Sequence, residues 1–195
     1  MKTKEKPELR LPSISEIKEE LYRENYKRSY AGVLRSTIYL LIVVAAVAVL
    51  VATIWMPVLQ IYGSSMTPTL EEGEIVVSVK GADFEKGDLV CFYIGNKLLV
   101  KRFIAGPGEW VNIDEYGNVY VNDELLDEPY VTNKDFGDCN ITLPYQVPDE
   151  QIFCLGDHRD TSLDSRNTII GCISEEQVVG KIVIRVWPLT KLCTL

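Results

Sequence analysis

The chain has 195 residues, of which 47% are hydrophobic and 25% charged, and its formal net charge is −8. This length and apolar content suffice for one soluble domain of ordinary size with appendages. Residues 1–35 hold nine Lys/Arg against six Asp/Glu, whereas residues 59–195 hold eleven against twenty-two. The larger part is therefore acidic and lacks a basic stripe, which argues against nucleic acid as a partner.

The N-terminal segment carries a helix-start signal. Ser13 and Glu16 have the spacing of a capping box, and apolar residues continue at helical spacing as far as Tyr30. We predict a short helix within a cytoplasmic segment, residues 1–35. Two roles stay open for it, namely contact with a membrane surface and a solvated charged tail that orients the next segment.

A membrane anchor is predicted next. Residues 37–58 contain no charged side chain, and a helix of this length crosses a hydrocarbon layer of roughly 30 Å. A cleavable signal peptide fits less well, because the apolar run is too long for one and its Ala46-x-Ala48 lies in the middle. We therefore predict a transmembrane helix over residues 36–58.

The charges flanking this helix set its expected orientation. Lys27, Arg28 and Arg35 precede it, and the end richer in Lys/Arg stays in the cytoplasm. This predicts a single-pass protein of the cell membrane in the lipid bilayer, with residues 59–195 outside the cytoplasm.

Residues 59–195 change to short β-type runs separated by turns. Gly-Asn pairs at 95–96 and 117–118 stand where hairpins need positive φ. We predict a mostly β domain of antiparallel sheets, in which the polar, acidic stretch 122–150 forms an excursion of long loops. The predicted strands are 74–79, 88–93, 97–104, 110–113, 119–121, 151–155 and 181–186.

The cysteines number five, which leaves at least one unpaired within the chain, and their spacing does not suit a metal. Cys154 and Cys172 flank one loop. They could form a disulfide across two antiparallel strands or serve as small buried core residues, and the sequence does not separate these two possibilities.

Ser65 and Lys101 are the candidate reactive pair. Ser65 lies seven residues beyond the apolar run, and Lys101 lies within an apolar strand, where desolvation lowers the pKa of an amine toward the range of a general base. A serine in a glycine-containing loop is by itself usually a turn, and a Lys-Arg pair is usually surface charge. A third segment, 156–166, adds hydroxyls, carboxylates and guanidiniums between two apolar runs.

Four ordered segments carry a family resemblance. Ser65-Met-x-Pro-Thr-Leu, Lys86-Gly-Asp-Leu-Val, Val100-Lys-Arg-Phe-Ile-Ala-Gly-Pro-Gly-Glu and Gly156-Asp-x-Arg-x-x-Ser-x-Asp-Ser-Arg resemble the sequence boxes of bacterial type I signal peptidase. Residues 122–131 resemble the same family, so the likeness covers nearly all of 59–187. It implies a membrane-bound serine endopeptidase that removes signal peptides from exported preproteins after a small-x-small motif, without metal or cofactor.

The resemblance also implies residue roles. Ser65 is the expected nucleophile and its N–H the oxyanion donor, while Lys101 is the general base and Ser162 orients its amine. Asp164 and Arg166 are expected to form an ion pair that shapes their loop. The substrate is expected to bind as an added strand. The pocket for the residue before the cut is expected to include Ile61, Met66, Leu70, Leu99 and Val100, although ordinary core packing explains these five equally well.

Two positions depart from the family. Gly63 stands where some members have a serine that serves as second oxyanion donor, and His158 stands where the fourth box usually has Asn. The histidine raises the possibility of a Ser/His/Asp triad. The sequence also leaves open a peptidase dedicated to pilin-like substrates, a self-cleaving repressor-type Ser/Lys protease and a catalytically silent anchor. The oligomeric state stays open.

Overall fold

The structure is a computed structural model and describes residues 12–195. Its first element is a helix of 42 residues, α1, Ile14–Trp55. The predicted capping box forms, because the Ser13 N–H donates to Glu16 Oε2 at 2.7 Å and the Glu16 N–H donates to Ser13 Oγ at 3.3 Å. The first eleven residues of the predicted N-terminal segment lie outside the described residues.

The predicted short helix and the predicted anchor are one continuous helix. The change from a charged to an apolar composition near Arg35 does not interrupt it, because both stretches consist of residues compatible with helix. The helix ends at Trp55, two residues before Pro57, so Val58 begins a strand and does not complete the anchor as predicted. By length and composition, α1 is long and apolar enough to cross a membrane.

The part of the chain from Ala52 onward is a compact unit built on antiparallel strands, as predicted. A sheet of eight strands has the order β1-β2-β11-β3-β4-β9-β10, with β12 pairing with β11, and a sheet of four has the order β7-β6-β5-β8. The strands are β1 Val58–Gln60, β2 Ile75–Val79, β3 Leu89–Ile94, β4 Lys97–Ala105, β5 Trp110–Ile113, β6 Val119–Val121, β7 Glu124–Leu125, β8 Tyr145–Gln146, β9 Gln151–Leu155, β10 Ile173–Ser174, β11 Val178–Trp187 and β12 Cys193–Thr194.

Both predicted hairpins form. Gly95 and Gly117 adopt φ of +58° and +78°, and they join β3 to β4 and β5 to β6. In the first hairpin Lys101 lies opposite Val90, which is fully buried. The register therefore sets a lysine into the middle of an apolar ladder.

Buried side chains form three clusters. The first joins the two sheets and includes Ile104, Val111 and Phe153. The second lies around the loop between β1 and β2, and the third around β3 and β9. Residues 122–150 are irregular apart from β7 and β8, as predicted, yet Val147 of this stretch belongs to the first cluster.

The five cysteines are free thiols. Cys154 is fully buried in the third cluster, whereas Cys172 packs against the first. The two side chains therefore pack in different clusters. The disulfide alternative is not realised, and Cys154 is a core residue; burial raises the pKa of its thiol well above the ordinary range.

Candidate active site

The loop between β1 and β2 presents Ser65. Its ends are closed by hydrogen bonds from Ile61 N–H to Glu74 O at 2.8 Å and from Gly73 N–H to Ile61 O at 2.9 Å. Gly63 adopts φ +80°, a conformation that side chains disfavour, which accounts for glycine at this position. Within the described part of the chain, the Ser65 N–H donates to no acceptor. It is therefore available to a ligand.

Lys101 is buried, with 3% of its surface exposed. Its Nζ lies 2.9 Å from Ser162 Oγ. Burial lowers the pKa of the Lys101 amine to about 8, with a further lowering by Arg166 that the carboxylate of Asp164 opposes. The amine thus loses its proton far more easily than an exposed lysine, as the apolar sequence around it predicts.

Gly156 brings the serine loop and the lysine partner together. A Cβ at this position would lie 2.1 Å from Ser162 Oγ and 2.6 Å from Ser65 O, so only glycine fits between them. Ser65, through its carbonyl oxygen, and Ser162, through its hydroxyl, therefore both pack against the Cα of Gly156. This is the observation that links residues separated by nearly a hundred positions in sequence.

The loop carrying Ser162 is held by a buried ion pair. Arg166 Nε lies 2.9 Å from Asp164 Oδ1, and neither side chain is exposed. Asp164 Oδ2 also accepts the Gly156 N–H at 3.0 Å, and Arg166 donates to the carbonyls of Phe136 and Arg159 at 2.9 and 2.8 Å. The predicted pair forms, and it fastens the loop to residues of the 122–150 excursion.

A small pocket of about 70 Å³ adjoins Ser65. Four of the five predicted pocket residues lie in its wall, namely Ile61, Met66, Leu99 and Val100. The fifth, Leu70, is fully buried and packs with Ile61 and Met66 in the second cluster, so it supports the wall from behind. The remaining lining residues are Gln60, Tyr62, Gly63 and Leu98.

One edge of β4 is open beside this pocket. β3 pairs with β4 from Lys97 to Arg102, whereas β9 pairs with it only from Arg102 onward. Among the described strands, none covers Lys97 to Lys101 on that side. Main-chain groups there can accept an added strand.

Sequence reasoning missed two buried ion pairs. Arg102 Nε donates to Asp157 Oδ1 at 2.8 Å, and Arg102 also stacks on the ring of Tyr130 with its Cζ 3.7 Å from the centroid. Arg159 pairs with Glu128, and both are buried. In the sequence, only the location of these residues hinted at a role in the site. Arg102 comes directly after the candidate base, and Glu128 and Tyr130 lie in a stretch that resembles the family.

His158 does not form a triad with Ser65. Its Nδ1 lies 3.0 Å from Thr67 Oγ1 and its Nε2 lies 3.0 Å from Asp160 Oδ1. The carboxylate of Asp157 is occupied by Arg102. In the described residues, neither ring nitrogen contacts the Ser65 hydroxyl, so the side chain is not placed to take its proton.

Comparison with known proteins identifies the family. The model of the family described as signal peptidase, peptidase S26, matches residues 34–187. Signal peptidase IB of Staphylococcus aureus (strain COL) is 39% identical over 154 residues, covering 67% of this chain and 78% of that protein. A probable signal peptidase I-2 of Synechocystis sp. is 33% identical over 144 residues, covering 66% of this chain and 62% of that protein.

A solved structure of a signal peptidase I from Enterococcus faecalis V583 matches with a TM-score of 0.44 and 26% identity, covering 51% of this chain and 97% of that one. The family match extends from within α1 to the end of β11 and includes each segment that forms the candidate site. The chain belongs to the signal peptidase family, peptidase S26.

Proposed function

We propose that this chain cleaves the signal peptides of exported preproteins after a small-x-small motif, with Ser65 as nucleophile and Lys101 as general base. Members of the signal peptidase family are serine endopeptidases, and this chain is one of them. The observation that carries the residue assignment is the buried Lys101 amine, 2.9 Å from Ser162 Oγ, with Gly156 between that serine and Ser65.

The first step is acylation. The neutral Lys101 amine takes the proton of the Ser65 hydroxyl as Oγ attacks the carbonyl carbon of the scissile bond. The resulting oxyanion is stabilised by the Ser65 N–H, a type of donor worth about 3 kcal/mol. The Lys101 ammonium then gives its proton to the leaving amine, and the signal peptide remains esterified to Ser65.

The second step is hydrolysis. Lys101 takes a proton from water, the hydroxide attacks the ester, and the proton returns to Ser65 Oγ as the signal peptide leaves. Ser162 keeps the amine directed through both steps because its Oγ is within hydrogen-bonding distance of Nζ. Asp164 and Arg166 act through the shape of the loop that carries Ser162.

Substrate selection results from the open edge and the small pocket. The signal peptide adds as a strand to the uncovered part of β4, and the residue before the cut enters the pocket next to Ser65. A volume of about 70 Å³ suits a small side chain such as that of Ala. The family match also favours this activity over a repressor-type self-cleaving protease.

The chain is membrane-anchored through α1, which has the length and composition of a spanning helix. We place its N-terminus in the cytoplasm because Lys27, Arg28 and Arg35 lie on that side of the apolar stretch. The catalytic domain then lies on the outer face, where exported chains emerge.

The test is cleavage of a preprotein with an Ala-x-Ala site by the full-length protein in detergent. Ser65→Ala and Lys101→Met are expected to abolish cleavage, whereas His158→Asn is expected to retain it, since asparagine cannot act as a base. Activity in Lys101→Met would refute the assigned mechanism. Activity in Ser65→Ala would remove the nucleophile assignment itself.

A further inference from the structure

His158 connects the two halves of the site through its own backbone. Its N–H donates to Ser65 O at 3.1 Å, and its carbonyl accepts the N–H of Ser162 at 3.0 Å. One residue therefore bridges the nucleophile candidate and the serine that holds Lys101. Any rotation of the 158 peptide groups would move both.

The side chain of His158 fixes that backbone at a second set of points. Nδ1 lies 3.0 Å from Thr67 Oγ1 and 3.3 Å from Ser64 O, while Nε2 lies 3.0 Å from Asp160 Oδ1. The Thr67 hydroxyl in turn lies 2.8 Å from Ser64 O. The ring is thus bonded to the residues on either side of the Ser65-Met66 pair.

The hydrogen-bond partners of the ring show which of its nitrogens contacts the serine loop. The carboxylate of Asp160 only accepts, so Nε2 carries the proton. A neutral ring accepts the single Thr67 hydroxyl proton at Nδ1 in place of Ser64 O, whereas a charged ring donates from Nδ1 to Thr67 Oγ1 or Ser64 O and leaves the Thr67 proton on Ser64 O. In both forms Nδ1 holds the serine loop, whereas Nε2 reaches only an exposed carboxylate.

We propose that His158 is a positioning residue of this peptidase, which holds Ser65 in register with Lys101 through its Nδ1 contacts. The proposal rests on the function assigned above. The ring does not line the pocket next to Ser65, so its effect falls on the attack geometry and not on the binding of the residue before the cut. This also gives a role to a histidine that takes no part in proton transfer.

Substitution of His158 by asparagine or by glutamine tests the contributions of its two ring nitrogens separately. The amide of Asn at this position ends near the place of Nδ1, whereas the longer side chain of Gln carries its amide toward the place of Nε2. His158→Asn therefore preserves the contacts with Thr67 and Ser64, and His158→Gln does not. The two variants are otherwise closely matched in polarity and charge.

The experiment compares kcat and KM of wild type, His158→Asn, His158→Gln and His158→Ala on one Ala-x-Ala preprotein. Asp149→Asn, a change at an exposed carboxylate, serves as the control. His158→Asn is expected to keep kcat within about threefold, while Gln and Ala lower kcat roughly 10- to 100-fold at nearly constant KM, because small misplacements of reacting groups cost this much. Each rate is divided by the folded fraction of that variant, which is measured by circular dichroism.

Equal kcat in the Asn, Gln and Ala variants would overturn the proposal, and so would a loss in the Asn variant as large as in the Ala variant. A rise in KM without a change in kcat would assign the residue to substrate binding and also overturn it. Ser65→Ala and Lys101→Met are measured in parallel. If Ser65→Ala and Lys101→Met are active, the proposed function fails. If these two are inactive while the His158→Asn variant does not differ in kcat from the Gln and Ala variants, only this inference fails.

Discussion

The pKa of Lys101 makes a quantitative prediction for catalysis as a function of pH. Burial lowers this pKa from 10.5 to about 8. At pH 7 about one amine in ten is then neutral, against about one in three thousand for an exposed lysine, which is a gain of about 300-fold in competent base. Below pH 8 the ammonium predominates, so activity falls about tenfold for each unit of pH.

The assay is kcat/KM for a signal-peptide substrate between pH 6 and 10, since this parameter reports ionisations of the free enzyme. We expect an ascending limb that levels off near pH 8 in wild type. His158→Asn is the matched control and should show the same midpoint. A profile that is flat between pH 6 and 8, or a limb that disappears in His158→Asn, would refute Lys101 as the base.

Three further predictions concern stability and local space. Lys101→Met should stabilise the fold at pH 7 by about 1–3 kcal/mol, because a pKa lowered to about 8 means that the folded state bears a buried charge below that pH. This gain in stability should shrink between pH 8 and 10.5, as the pH rises toward the value at which the unfolded-state lysine loses its charge as well. Unfolding midpoints of the variant and the wild type at pH 7 and pH 10 test this. Gly156→Ala should abolish cleavage, since its Cβ would collide with Ser162 Oγ and Ser65 O; an active variant would contradict the packing. Asp157→Asn should lower the free energy of unfolding by about 3–5 kcal/mol, because it leaves a buried guanidinium without its carboxylate, and an unchanged denaturation midpoint would contradict this.

Much of the site could be predicted because each feature leaves a local mark. An uncharged run predicts a spanning helix, alternating β-type runs with Gly-Asn turns predict hairpins, and a lysine among apolar residues predicts an amine with a lowered pKa. The resemblance then supplied the pairing of Ser65 with Lys101. In the structure Gly156 lies between Ser65 and Ser162, and the hydroxyl of Ser162 contacts Lys101.

Other features could not be predicted because they depend on contacts between distant segments. Arg102 and Glu128 look like surface charges in the sequence, since nothing local shows that a carboxylate or guanidinium will meet each of them in the interior. The continuity of α1 was missed for a different reason. Composition changes sharply near Arg35, but helix formation depends on backbone compatibility and not on polarity.

The uncovered edge of β4 also bears on association between copies of the protein. An exposed row of main-chain donors and acceptors pairs with any extended chain, including the same edge of a second molecule. Lys97, at the exposed start of this edge, places a positive charge where two such edges would meet. The edge proposed to receive the signal peptide is thereby discouraged from pairing with its own copy by a single charged residue.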